Sequence, residues 1–294
     1  MEVFLDSQVA DIKRRSLAHE GNIFVYSPSP AAEAVCAFAR QMLERAFPGL
    51  DPRQAQHSMP VEQFSGILAE LKPAFIHHPK IKPLLQQLLA ERGCNLDETY
   101  FDVPRLRSST SDGYLTSGIA YAFHPHRDTW YSAPMCQLNW WLPVYPMPPK
   151  SGMVFHPLYW SEPVKNSSRD YNYAQWNRES RYTAKNHVHK DTRIQPRPEQ
   201  TLNLGGGLIV NGEPESLTVF SGAQMHASAE NTSGETRYSI DFRTVHLQDV
   251  VQGLGAPNVD SQCTGTTMGD YLRGSDYSHI PDQWIKRYDE GWAR

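Results

Sequence analysis

The sequence predicts a mainly β fold of the α+β class, in which an antiparallel sandwich or barrel is supported by helices in the first third of the chain. Short runs rich in β-branched and aromatic residues recur between residues 98 and 250, separated by Pro, Gly, Ser and Asn clusters. Before residue 98, hydrophobic residues recur at helical spacing. Few helical patterns lie between the strands, which favours antiparallel pairing. We expect a single domain with a helical support region (1–97), a β core (98–250) and a C-terminal arm (251–294).

The support region is predicted to contain one short strand, residues 22–27, and three helices. Ser29 has the residue type of a helix cap, and Pro30 suits a first turn. Pro48-Gly49 and Gly93 provide stop signals for the first and third helices. The predicted helices are 30–47, 61–71 and 81–92.

The β core is predicted to hold seven or eight strands. In residues 135–145 the alternation places Gln137, Asn139 and Trp141 on one face of a strand. If that face lines a cavity, the two amides can donate hydrogen bonds to a bound carboxylate. The strand-like runs are 99–103, 114–123, 135–145, 153–156, 208–210, 217–221 and 237–247.

Residues 217–243 are predicted to form a hairpin. His226 follows a hydrophobic run, and residues 231–234 have turn chemistry. From Arg237 the chain alternates with period two, which indicates a returning strand. An imidazole would then end one arm and a guanidinium would begin the other, so a metal ligand and an anion ligand could share a pocket.

A second segment supplies further metal-ligand types. In an extended chain His126 and Asp128 point the same way, while Arg127 faces elsewhere. Two histidines and one carboxylate on a facial triangle leave positions open, the arrangement of non-haem Fe(II) oxygenases. His-x-Asp alone is a weak signal. The stronger signal is His226 followed at fixed offsets by Ser228, Asn231, Ser233 and Arg237.

At these residues the chain resembles the Fe(II)/2-oxoglutarate dioxygenases of the phytanoyl-CoA dioxygenase type. Their pattern is His-x-Asp, then about a hundred residues later His-x-Ser-x-x-Asn-x-Ser-x-x-x-Arg. The resemblance spans residues 118–245. It implies a double-stranded β-helix, also called a jelly roll or cupin-like core, with Fe(II), 2-oxoglutarate and O₂ as cofactor and co-substrates.

The resemblance also implies roles for individual residues. His126, Asp128 and His226 would be the iron ligands. Arg237 would pair with the distal carboxylate of 2-oxoglutarate, with Ser228 beside it and Trp141 as a wall. Further candidates for contact with the co-substrate are Asn139, Gln137 and Ser239.

Residues 165–197 form a basic insert that predicts an anionic substrate. Eight basic and three acidic residues give it a local charge of +5 in a chain of net charge −4, and aromatic residues are interleaved with them. Guanidinium groups recognise carboxylate and phosphate through paired hydrogen bonds. A solvated basic loop remains the alternative reading. The candidate substrate contacts are Arg178 and Arg181 in the insert, with Arg127, Trp130 and Arg243 elsewhere.

Composition and charge indicate where the protein is located, the state of its cysteines and which partners are unsuited to it. No apolar run reaches membrane-spanning length and no secretory leader pattern is visible, so the cytoplasm is expected. The four cysteines lack zinc-ligand or redox spacing and are interpreted as reduced thiols. A net charge of −4 makes nucleic acid and anionic membranes poor partners for the whole surface. The C-terminal arm would cover the barrel or a neighbouring subunit, which leaves a homo-oligomer open.

The predicted activity is hydroxylation of an unactivated carbon in a small, anionic substrate, with decarboxylation of 2-oxoglutarate to succinate. Three alternatives stay open. They are a peptide or protein hydroxylase on the same fold, a non-enzymatic ligand-binding β-sandwich, and a zinc hydrolase with the same three ligands.

Overall fold

Two β-sheets and a layer of helices make up the computed structural model, which describes residues 1–120, 124–148, 151–180, 183, 187, 189–190 and 192–292. The strands in these residues are β1 Val3–Leu5, β2 Ile23–Tyr26, β3 Thr99–Phe101, β4 Arg105–Ser109, β5 Leu138–Pro143, β6 Met153–Phe155, β7 Leu208–Val210, β8 Leu217–Ser221, β9 His226–Ser228, β10 Arg237–His246 and β11 Leu272–Arg273. The α-helices are α1 Asp11–His19, α2 Pro30–Ala46, α3 Val61–Ile76, α4 Ile81–Glu91, α5 Tyr173–Glu179, α6 Leu247–Gln252 and α7 Asp282–Asp289.

The large sheet has the order β1-β2-β8-β5-β10-β3-β11, and β4 pairs with β10 beside β3. The small sheet has the order β7-β6-β9. All pairs are antiparallel except β1 with β2. Trp141 and Phe220 of the large sheet pack with Met153, Phe155 and Val210 of the small sheet in one buried cluster. The two sheets therefore face each other, and the predicted α+β class with a jelly-roll core and N-terminal supporting helices is confirmed.

The other face of the large sheet packs against α2, α3 and α4. The period of two in β5 and β10 sends Trp140, Leu142, Ile240 and Phe242 into this helical core. Their neighbours in the strand, such as Trp141 and Arg237, consequently face the space between the sheets. Ser29 accepts a hydrogen bond from the backbone N–H of Ala32 at the start of α2, as its position predicts.

The predicted hairpin is wrong, because its two arms belong to different sheets. β9 pairs with β6 in the small sheet, whereas β10 pairs with β4 and β5 in the large sheet. The connection therefore crosses between sheets and still brings His226 and Arg237 to one cavity.

The predicted strand at 114–123 is also wrong over its described part. Residues 111–120 form turns and a short 3₁₀ segment, with Gly113 and Gly118 at φ 71° and 60°. A positive φ interrupts an extended strand. Residues 121–123 lie outside the described residues. β4 was not predicted from the sequence; it pairs with β10 beside β3.

The C-terminal arm covers the chain's own sheet. β11 pairs with β3, and Tyr271 and Tyr288 join Tyr100 and Val245 in a second buried cluster. None of the described helices has the length and apolar character needed to cross a membrane.

Candidate metal centre

His126, Asp128 and His226 converge on one point, with one ligand atom from each lying within 4.8 Å of the others. His126 and His226 form an isolated antiparallel bridge, and Asp128 begins a 3₁₀ turn two residues later. Asp128 Oδ1 lies 3.4 Å from His126 Nε2 and 3.9 Å from His226 Nε2. Ligands about 2.1 Å from a shared ion and at right angles would lie about 3.0 Å apart, so small shifts suffice to close the set around an ion.

Both histidines present the nitrogen that a metal requires. Nδ1 of His126 lies 2.9 Å from the carbonyl oxygen of His124, and Nδ1 of His226 lies 2.9 Å from that of Gln224. A carbonyl only accepts, so Nδ1 carries the proton and Nε2 keeps its lone pair. Burial and the neighbouring His126 lower the pKa of His226 to about 4, so this imidazole is neutral at physiological pH.

The two oxygens of Asp128 have different surroundings. Oδ1 faces the histidines, while Oδ2 accepts hydrogen bonds from Gln137 Nε2 at 3.0 Å and Asn139 Nδ2 at 2.9 Å. The two amide donors stabilise the ionised form of Asp128 over the neutral form. The carboxylate is therefore ionised and offers one oxygen to an ion.

Gln137 and Asn139 therefore take a role that differs from the prediction. Both line the cavity as expected, yet their amides hold Asp128 instead of pointing freely at a co-substrate. Gln137 is itself fixed, because Tyr271 of the C-terminal arm donates its hydroxyl to Gln137 Oε1 at 2.6 Å. Hydrogen bonds to a metal-ligating side chain, and to the residues that hold it, fix its orientation and tune its affinity for metal.

Gly222 lies against this assembly. Its carbonyl accepts the N–H of Asp128 at 2.8 Å, and its N–H donates to the carbonyl of Gln137 at 2.9 Å. A Cβ at this position would lie 3.0 Å from Gln137 Nε2 and 3.5 Å from Asp128 Cβ. The close approach of the three residues therefore favours glycine.

Arg237 is a buried guanidinium in the same cavity. Nη1 donates to the carbonyl oxygens of Ser151 and, at 3.3 Å, Gly152; Nη2 donates to Ser228 Oγ at 3.1 Å. Nε is buried without a hydrogen-bond partner, and within the described chain no carboxylate oxygen lies within 4.0 Å of the group. Burial lowers the pKa of Arg237 to about 10, which leaves it charged at neutral pH.

Two other predicted contacts lie beside Arg237. Its guanidinium carbon lies 5.7 Å from the centre of the Trp141 ring, and Trp141 is almost fully buried. The hydroxyl of Ser239 is buried without a hydrogen-bond partner. Ser228, Trp141 and Ser239 all line the cavity, which has a volume of about 410 Å³.

Arg243 reaches the cavity but is surrounded by carboxylates. Its Nη1 lies 3.3 Å from Asp102 and 3.6 Å from Asp241, and its Nε lies 3.5 Å from Asp128 Oδ2. Arg243 therefore contacts a candidate metal ligand, and because it also lines the cavity its predicted contact with substrate stays a prediction.

Arg127 and Trp130 do not line the cavity, which corrects their assignment to substrate. Arg127 Nε and Trp130 Nε1 donate to opposite oxygens of Asp260, at 3.1 and 2.6 Å. Both side chains are buried. Because residues on either side of Arg127 face the metal, its own side chain must point away, into the C-terminal segment.

The basic insert contributes aromatic residues more than the expected arginines. Arg178 is exposed on α5 and does not line the cavity, and Arg181 lies outside the described residues. The insert residues that line the cavity include Tyr171, Tyr173, Trp176 and one arginine, Arg193.

Several lining residues were not predicted from the sequence. Arg105, Arg107 and Lys72 carry charge into the cavity, and Tyr131 packs edge-on against His126 with ring centres 5.5 Å apart. The alternation of Arg105 and Arg107 in β4 was the one available signal for the first two.

The fold and the site together define a candidate mononuclear centre of the two-histidine, one-carboxylate type inside a jelly roll. Its donor set leaves positions open and fits Fe(II), and the neighbouring guanidinium fits the far carboxylate of a chelating co-substrate such as 2-oxoglutarate.

Comparison with known proteins finds the following distant likenesses among solved structures. No family model matches the chain, and no curated protein matches it. Among solved structures, EvdO2 from Micromonospora carbonacea var. aurantiaca complexed with 2-oxoglutarate is 14% identical, with 81% of this chain and 91% of that chain covered and a TM-score of 0.47. EctD from S. alaskensis is 14% identical over 82% and 80% of the two chains, with a TM-score of 0.42. The epimerase SnoN in complex with Fe³⁺, alpha ketoglutarate and nogalamycin RO is 13% identical over 80% and 85%, with a TM-score of 0.39.

Proposed function

We propose that the protein is an Fe(II)- and 2-oxoglutarate-dependent oxygenase that hydroxylates an unactivated carbon of a small anionic substrate. The observation that carries the proposal is Arg237, a buried cation without a described carboxylate partner in the cavity that also holds the His126, Asp128 and His226 triad. A buried charge is costly unless it is paired. A dicarboxylate that chelates a metal at one end and meets Arg237 at the other would pair it.

Each residue has a defined task in this proposal. His126, Asp128 and His226 hold the iron on one face. Iron with 2-oxoglutarate and O₂ would supply the oxidising chemistry, with succinate and carbon dioxide as by-products. Arg237 neutralises the distal carboxylate and Ser228 holds Arg237 in place. Trp141 excludes water from this end of the site.

The shape and charge of the cavity support a small anionic substrate. A volume of about 410 Å³ is in the range of small-molecule sites, which favours this reading over a polypeptide in an open groove. Among the described lining residues six side chains are basic and four are acidic, so an anion is favoured. The basic residues are Lys72, Arg105, Arg107, Arg193, Arg237 and Arg243, and the acidic ones are Asp102, Asp128, Asp241 and Asp270.

The location that we propose is the cytoplasm. All four cysteines are free and buried, which suits a reducing compartment.

The experiment is oxygen-dependent succinate formation from 2-oxoglutarate by the full chain with Fe(II). We expect activity in the parent, loss in His126→Ala, and parental activity in His279→Ala, a control at an exposed histidine outside the cavity. A ligand-binding sandwich or a zinc hydrolase predicts no succinate from any of the three proteins, and that result would refute the proposal. Metabolite profiling of the active protein would then identify the substrate.

A further inference from the structure

Lys72 brings an ammonium group from the helical layer into the cavity. It lies in α3, and Ile76, one turn further along the same helix, lines the cavity beside it. In the described chain β4 pairs only with β10, so its other side is an edge of the sheet. The cavity extends past this edge to α3.

Within the described residues, the contacts of Lys72 use two of the three donors of its ammonium group. Nζ donates to Ser108 Oγ at 3.0 Å and to the carbonyl oxygen of Ile119 at 2.5 Å. An ammonium has three donors, and both acceptors are neutral. Within the described chain no carboxylate oxygen lies within 4.0 Å of Nζ.

The charged surroundings of Lys72 favour an added anion. Burial lowers the pKa of Lys72 to about 7; the positive charge of Arg107 acts in the same direction, and Asp241 opposes it. Asp241 is already engaged by Arg107, whose Nε lies 2.6 Å from Asp241 Oδ1. An oxyanion near Lys72 and Arg107 would therefore meet two cations and a carboxylate that is largely neutralised.

This position is distinct from the Arg237 site. Arg107 faces Ser239 in the pairing of β4 with β10, and Arg237 faces Ser109. The two arginines therefore lie on different strands and are offset by two residues, about 7 Å along the strand. An anion at Arg237 leaves Lys72 unpaired.

We propose that Lys72, with Arg107 beside it, forms a second oxyanion site that binds a carboxylate or phosphate group of the substrate. The inference rests on the proposed function, because it assigns the second anion to the molecule that the oxygenase modifies. In this arrangement the helical layer selects the substrate, while the jelly roll holds the metal and the co-substrate.

The test is calorimetric titration of the full chain with sulfate at pH 6.5, where Lys72 is largely protonated, with and without saturating 2-oxoglutarate. Sulfate represents a phosphate group, and a parallel titration with acetate represents a carboxylate. The variants are Lys72→Met, Lys72→Gln, Arg237→Met and Lys13→Met. Lys72→Gln retains a donor for the Ile119 carbonyl, and Lys13 is an exposed lysine outside the cavity.

We expect at least one of the two anions to bind the parent and Lys13→Met equally. Both Lys72 variants should weaken that binding by roughly tenfold or more, because a charge-assisted contact is lost. Arg237→Met should weaken binding of 2-oxoglutarate and retain the Lys72-dependent anion. Unchanged anion binding in both Lys72 variants, or no anion binding by the parent, would overturn the inference.

If the proposed function is wrong, the titrations give a different pattern of binding. If the parent binds sulfate or acetate through Lys72 but never binds 2-oxoglutarate, the oxyanion site stands and the oxygenase proposal fails. If 2-oxoglutarate binds and the anion response does not depend on Lys72, only the second site fails.

Discussion

His126 and His226 face each other as a hydrogen-bonded antiparallel pair. The N–H of each donates to the carbonyl of the other, at 3.0 and 2.9 Å, and their ring centres are 4.4 Å apart. Two residues separated by a hundred positions in the sequence are thus held in register by the main chain. The main-chain bridge therefore places the two imidazoles side by side.

His126→Ala should therefore lose metal and keep the fold. Alanine retains the N–H and the carbonyl of the pair, so the bridge persists. We expect the affinity for Mn(II), measured by equilibrium dialysis, to fall by more than roughly a hundredfold, since losing a ligand should exceed the usual effect of losing its supporting contacts. His279→Ala should bind as the parent does. Collapse of the far-ultraviolet circular dichroism in His126→Ala would contradict the main-chain argument.

Tyr271→Phe should weaken metal binding without touching a ligand. The variant removes the hydroxyl that fixes Gln137, which in turn holds Asp128. A loss of roughly tenfold in affinity for metal is expected. The matched control is Tyr277→Phe, which removes a hydroxyl bonded to another glutamine oxygen, Gln86 Oε1, at 2.7 Å and away from the cavity. Equal losses of metal affinity in the two variants would mean that removing any such tyrosine hydroxyl weakens metal binding, and would contradict a specific role for Tyr271.

Arg237→Met should make the ligand-free protein more stable and weaken binding of 2-oxoglutarate. Removing a buried charge without a described counter-ion should raise the free energy of unfolding by about 1–3 kcal/mol. Affinity for 2-oxoglutarate should fall on the order of a hundredfold. Urea denaturation and calorimetry measure the two effects.

The control for this prediction is Arg127→Met, which removes a buried arginine that does have a partner. It leaves Asp260 without the Nε donor at 3.1 Å, so it should destabilise the protein by about 3–5 kcal/mol. If Arg237→Met and Arg127→Met both raise or both lower the free energy of unfolding, the argument that Arg237 lacks a counter-ion and Arg127 has one is refuted.

The stability of Lys72→Met relative to the parent should depend on pH. The unfolded chain keeps Lys72 protonated up to its ordinary pKa of 10.5, whereas in the folded chain burial lowers that pKa to about 7. Between these values the unfolded chain binds more protons, so this group makes the folded protein more stable as the pH rises. Below pH 7 the cost of burying the ammonium is present in full.

Lys72→Met lacks this cost at every pH. Its advantage in the free energy of unfolding should therefore be largest near pH 6 and should shrink as the pH approaches 9. Urea denaturation of both proteins at pH 6, 7.5 and 9 checks the trend. An advantage that grows with pH would contradict the position of Lys72.

Strand alternation, a local property, was sufficient to predict the mainly β class, and the resemblance at the fixed offsets after His226 implied the jelly roll and the convergence of the triad. It could not predict what holds Asp128. The amide of Gln137 has the same chemistry whether it meets a co-substrate or a carboxylate, and only the approach of Gly222 and Asp128 decides between them. Tyr271 lies 134 residues from Gln137 and carries no local signal.

The charged part of the cavity escaped prediction for a related reason. β4 places Arg105 and Arg107 on its inner face, so the usual alternation of apolar and polar residues is weak. Helical periodicity finds the buried face of α3, yet it does not show which polar residue reaches the sheet edge. Conversely, the adjacency of Arg127 to Asp128 was misleading, since neighbours in an extended segment face opposite ways. Trp130 is directed elsewhere because it lies in the 3₁₀ turn that begins at Asp128.

The dependence of the site on Asp260 and Tyr271 sets the order in which the protein matures. Synthesis proceeds from the N-terminus, so both histidines leave the ribosome well before these two residues do. Until they emerge, Arg127 and Gln137 lack the partners that fix the carboxylate between them. The full set of contacts around Asp128 can therefore form only after residue 271 has left the ribosome.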